Sequence, residues 1–92
     1  MAKVSVRLPG VLGQVVGGQR RVDVEGDSVG EALADLIARY PALAFHVYEE
    51  GGALRRHVRC FCNDEYASER GGLDAPLRDG DTLTLLNSVA GG

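Results

Sequence analysis

The sequence predicts an α+β fold, a mixed sheet of four to five strands packed on one main helix. Three observations carry this: alternating apolar runs near both ends, one capped amphipathic stretch between them, and a length of 92 residues, which allows a single modest core. A chain of this size buries roughly 60–65% of its unfolded surface. That holds one helix against one sheet without also enclosing a deep substrate cavity, so an enzyme complete in itself is not expected.

In "KVSVRL", residues 3–8, Val4, Val6 and Leu8 alternate on one side, and Pro9-Gly10 ends the run. "VLGQVVGG" reads as a loop closing one end of the core. "QRRVDVEG" reads as a second strand through Val22 and Val24, forming a hairpin with the first. The helix comes next. Ser28 and Glu31 have capping-box spacing, in which each side chain satisfies a backbone N–H at the helix start. Val29, Ala32, Leu33, Leu36 and Ile37 recur at helical spacing, and Tyr40-Pro41 stops the run because the ring disfavours helical geometry at the residue before it.

"ALAFHVYEEGGAL" alternates at Leu43, Phe45 and Val47, yet it equally fits a helical turn and a loop, and is left irregular. A third strand, "HVRCFCN", places Val58, Cys60 and Cys62 on one face, with a turn at Asp64-Glu65 and a short edge strand returning through "YAS". "GGLDAPLRDGD" is an irregular connection whose Asp79-Gly80-Asp81 turns into the last strand, "TLTLLN". There Leu83 and Leu85 point inward while Thr82, Thr84 and Leu86 point outward. A right-handed crossover through the helix is expected to leave its two flanking strands adjacent or one apart. This element order is the β-grasp plan of ubiquitin, with residues 1–87 as the domain and 88–92 as a flexible tail.

The net charge of -3 counts against nonspecific nucleic-acid binding, which needs a dense basic face. Arg55-Arg56-His57, with Arg59 following, reads as a solvated loop entering a strand rather than a docking patch for an acidic surface. No apolar stretch approaches the roughly 20 residues of a membrane span, and the start "MAKVSVRL" lacks a signal core, so a cytoplasmic protein is expected. Two cysteines on one strand face are too far apart to bridge easily and too few for a zinc or iron–sulfur site. They read as buried small hydrophobes. His46 and His57 lack a second ligand at useful spacing, and the pairs Glu49-Glu50 and Asp64-Glu65 read as loop and turn charges. No phosphate-loop motif is present.

Gly-Gly occurs four times, and only the last pair, Gly91-Gly92, stands at the end of the sequence. "LxDGDxLxLLxxVAGG" from Leu77 to Gly92, with "VxCFCNDE" and the capped "DSVGEALADL", resembles the small ubiquitin-like sulfur carriers of the MoaD/ThiS type. The Val-Ala-Gly-Gly ending is similar to that of the CysO-type carriers of an alternative cysteine biosynthesis. Asn87-Ser88 departs from the proline that several relatives carry after the last strand. The resemblance implies a carrier rather than an enzyme, with chemistry at the Gly92 carboxylate. An activating partner of the ubiquitin-activating type spends ATP to adenylate Gly92, and a sulfur donor displaces AMP to leave a thiocarboxylate. An acceptor synthase then takes the sulfur. No cofactor is expected on this chain itself.

Such chemistry needs a thin reach. Residues 88–92, fully extended, span at most about 17 Å. Without a Cβ, Gly91 and Gly92 admit close channel walls and leave the carbonyl carbon open to attack, while Val89 and Ala90 are expected at the channel mouth. Phe61 and Leu86, pointing outward from the sheet, are the candidate docking residues. Two other fates share the adenylate or the fold: a modifier joined to protein lysines through Gly92, and a small subunit held permanently in a larger synthase.

Overall fold

The computed structural model describes residues 1–50, 54–55 and 58–87. A five-stranded mixed sheet is formed by β1 (Lys3–Arg7), β2 (Arg21–Glu25), β3 (Val58–Cys62), β4 (Glu65–Tyr66) and β5 (Thr82–Asn87), in the order β2-β1-β5-β3-β4. β1 and β5 run parallel at the centre, β2 pairs antiparallel with β1, and β3 pairs antiparallel with both β5 and β4. The hairpin of β1 and β2 forms as the alternation predicts.

The crossover does not. β1 and β5 both lie between β2 and β3, the strands that flank the helix in sequence. The two central places go to the strands whose inward residues are most deeply covered. Val4 and Val6 of β1, with Leu83 and Leu85 of β5, are all at most 2% exposed. Pairing the first and last strands sets the most apolar edges side by side and leaves the weaker β2 and β4 outside.

The helix α2 (Val29–Arg39) lays Val29, Ala32, Leu33 and Leu36 against the sheet, while Ile37, expected in the same stripe, is only half-buried. Ser28 Oγ accepts the N–H of Glu31 at 3.2 Å. Glu31 Oε1 accepts the N–H of Asp27 at 2.9 Å, one residue before the cap. Asp27 in turn accepts the N–H of Ala2 at 2.8 Å, tying the chain start to the helix start. A Cβ at Gly26 would lie 2.8 Å from Ala32 Cα and from the Glu31 carbonyl carbon, so the close approach of β2 to α2 requires glycine.

Three connections differ from expectation. The loop after β1 contains a short helix, α1 (Gly10–Gly13), continued by a 3-10 turn at Gln14–Val16. Leu12 and Val16, four residues apart, both need burial, and one helical turn supplies it. The segment left irregular after α2 forms a 3-10 turn at Pro41–Leu43 and a single-turn helix, α3 (Ala44–Val47). Leu43 and Val47 are fully buried while Phe45 is 78% exposed, so the apparent alternation there belongs to a helix. The hairpin of β3 and β4 turns at Asn63-Asp64, not Asp64-Glu65, with Asn63 at φ 54° and Phe61 paired with Tyr66. Asparagine tolerates the left-handed region that a two-residue turn demands.

Among the described residues every buried side chain is apolar or a cysteine. Ala67, Ala75 and Leu77, from the connections around β4, complete the core beside the strands.

Candidate functional site

β5 carries the site. On its outward side stand Thr82, Thr84 and Leu86, and the pairing puts Phe61 beside Thr84 and Arg59 beside Leu86. Leu86 is 43% exposed and Phe61 half-buried. Asn63 fixes the far end: its N–H donates to the Thr82 carbonyl at 2.8 Å, and the Thr82 N–H donates to Asn63 Oδ1 at 3.1 Å. Phe61, Asn63, Asp64, Thr84 and Leu86 line a shallow depression of about 230 Å³.

Tyr66 joins this patch. Its ring centroid lies 4.4 Å from that of Phe61 at an interplanar angle of 33°, and the Arg59 guanidinium sits 6.0 Å above the Tyr66 ring. The tilted pair and the cation over the ring face are both favourable aromatic geometries. Sequence reasoning missed Tyr66 because the expected turn at Asp64-Glu65 would set it opposite Asn63, on the same face but two residues out of register with Phe61. The signal was present in Asn63-Asp64, a pair suited to a two-residue hairpin. Arg59 lies on the outward face of the third strand, as its place in "HVRCFCN" predicts, whereas the Arg55 side chain is held by the Phe45 carbonyl. Arg56 and His57 lie outside the described residues.

The four predicted tail residues, Val89, Ala90, Gly91 and Gly92, also lie outside the described residues, which stop at the last residue of β5. The cysteines stand on the opposite, core-facing side of the sheet as free thiols. Burial, with a smaller contribution from the Cys62 thiol, pushes Cys60 up to about 12, and burial also raises Cys62 against the pull of Arg70. Thiols so disposed stay protonated and behave as packing groups. His46 is exposed on α3, as are Glu49 and Glu50 beyond it. No group of three or more His, Cys, Asp or Glu among the described residues is placed to hold a metal. No helix among them is long and apolar enough to cross a membrane.

A five-stranded mixed sheet over one principal helix, presenting an apolar patch on its open face, defines a ubiquitin-like β-grasp protein. Residues 6–92 match the ThiS family, and the chain belongs to it. It is 37% identical over 91 residues to sulfur carrier protein CysO of Mycobacterium tuberculosis, covering 97% of this chain and 98% of that one. It is 39% identical over 83 residues to small archaeal modifier protein 1 of Haloferax volcanii, covering 88% and 91%. Among solved structures, that of an Amycolatopsis orientalis BexX/CysO complex superposes with a TM-score of 0.88 at 37% identity, covering 97% of this chain and 99% of that one. These relatives, one a sulfur carrier protein and the other a small modifier protein by name, support a sulfur-carrier or ubiquitin-like role.

Proposed function

We propose that this chain is a sulfur carrier whose Gly92 carboxylate is adenylated by an ATP-dependent activating enzyme and converted to a thiocarboxylate. The carrier then gives up its sulfur in the biosynthesis of cysteine or another sulfur-containing metabolite or cofactor. The observation that carries this reading is the family match running through Gly92, together with full-length similarity to CysO.

The chemistry demands activation. An α-carboxylate with a pKa of roughly 3.3–3.7 is an anion at neutral pH and a poor electrophile. In the first step a carboxylate oxygen attacks the α-phosphorus of ATP and pyrophosphate leaves. In the second, a sulfur nucleophile attacks the acyl carbon and AMP departs, leaving the carbonyl bonded to sulfur. ATP binds the partner, and the carrier contributes an accessible acyl carbon, Gly91 for backbone approach, and Val89 and Ala90 for the channel mouth. Phe61 and Leu86 supply the apolar docking contact. A CysO is complexed with BexX in a solved structure, which supports a second, acceptor-type partner for this chain as well. ATP-dependent activation by such partners places the process in the cytoplasm.

The decisive test is intact mass after incubation with ATP, an activating enzyme and sulfide, beside a chain lacking Gly92. A gain of one sulfur for one oxygen in the full-length chain alone is expected. If no adenylate or thiocarboxylate forms, the reading fails. Similarity to small archaeal modifier protein 1 favours a second fate, attachment of Gly92 to protein lysines. Higher-mass adducts carrying this chain would support that fate, while sulfur-dependent rescue of a biosynthetic pathway supports the carrier.

A further inference from the structure

The register of the sheet sorts charge along its outward face. One row across the strands reads Arg21, Arg7, Thr84, Phe61 and Tyr66. Two residues further toward the end of β5, Arg59 lies beside Leu86. All three arginines are exposed. At the opposite end of the same face, exposed Asp23 and Glu25 of β2 stand opposite Ser5 and Lys3. Asp64 and Asp79, both exposed, occupy the turns at that end. The open face therefore has a basic end, where β5 finishes, and a net acidic end, where it starts and where these carboxylates outnumber exposed Lys3 and Arg78.

Two of the guanidiniums are available to a partner. Among the described residues the ion pairs are Arg21–Asp23 and Arg39–Asp35, and neither Arg7 nor Arg59 takes part in them. Arg59 instead lies over the Tyr66 ring, at the rim of the Phe61 and Leu86 patch. Arginine beside exposed aromatic residues is the composition of an interface centre.

We propose that this face docks a protein whose contact surface sets carboxylates around an apolar pocket, with Arg7 and Arg59 meeting those carboxylates at the end where β5 finishes. The inference rests on the carrier reading, in which the residues after β5 must be delivered to a partner's site. An apolar patch alone accepts a partner in either sense along the strands. The charge order rejects the reversed sense, because Asp23, Glu25 and Asp64 would then face the partner's carboxylates.

The test is calorimetric titration of purified Amycolatopsis orientalis BexX, the protein in complex with a CysO 37% identical to this chain, at low and high salt. The double variant Arg7→Glu/Arg59→Glu should bind about tenfold or more weakly at low salt and lose the salt dependence that the wild type shows. Arg78→Glu makes a charge reversal at the acidic end, and per residue it should shift affinity by less than about twofold. Circular dichroism checks that each variant is folded. Equal losses per reversed charge at either end, a salt-independent wild type, or no measurable wild-type binding would each overturn the proposal. The thiocarboxylate mass gain is read without BexX, so failure of the carrier reading shows separately.

Discussion

Cys60 and Cys62 show at the scale of single residues how one strand serves two purposes. Alternation turns both thiols into the core and turns Arg59 and Phe61 to the open face of the sheet. The core side has a measurable consequence. Folding raises Cys60 from an ordinary 9.0 to about 12, so the folded chain holds that proton more tightly than the unfolded chain. Its contribution to stability is therefore intact below about pH 9 and is lost as pH rises toward 12, by at most about 1.4 kcal/mol per pH unit. Tyr48, raised mainly by burial and then by Cys60, adds a loss of the same sign. Urea midpoints measured across this alkaline range should fall for the wild type and fall less steeply for Cys60→Ala. An unchanged slope in the variant would assign the loss to other groups.

At the scale of elements, α2 shows how a helix start is shared among neighbours. Ser28 satisfies one N–H of the first turn, Glu31 reaches back to Asp27, and Asp27 holds Ala2. Ser28→Ala removes only the first of these bonds. It should cost about 1 kcal/mol in chemical denaturation with the slope unchanged. A loss several times larger would mean that the whole linkage collapses with the cap. On the same helix Asp35 accepts the N–H of Glu25 at 2.9 Å and pairs with Arg39 at 3.2 Å. A helix carboxylate thus occupies a ladder donor of edge strand β2, which blunts that edge against pairing with another chain.

For the molecule as a whole, the sheet has two unlike faces: one buries the core, and the other is the face proposed to dock partners. Leu33, Leu36, Leu83 and Leu85 are fully buried between α2 and the strands, whereas Leu86 and Tyr66 are exposed. Phe61→Ala with Leu86→Ala should therefore lower stability by only about 1 kcal/mol, chiefly through the lost contact with Tyr66. The same pair should weaken binding to the activating enzyme about tenfold or more. Unchanged binding by calorimetry would remove the outward face from the docking surface.

The sequence by itself determined the strands, the capped helix and the alternation that sends Phe61 and Leu86 outward, because period-2 and period-3.6 patterns are local consequences of backbone geometry. It also carried the family resemblance, through Leu77–Gly92 and the helix. It did not reveal the short helices around Leu12 and Val47, since two apolar residues four apart acquire meaning only when a core waits on one side. The placement of β1 beside β5, and hence the row joining Arg7 to Thr84 and Phe61, was decided by tertiary structure alone. Those residues are distant in the chain, and no local pattern encodes which strand takes the centre. That choice follows from which pairing buries the most apolar surface of the whole sheet.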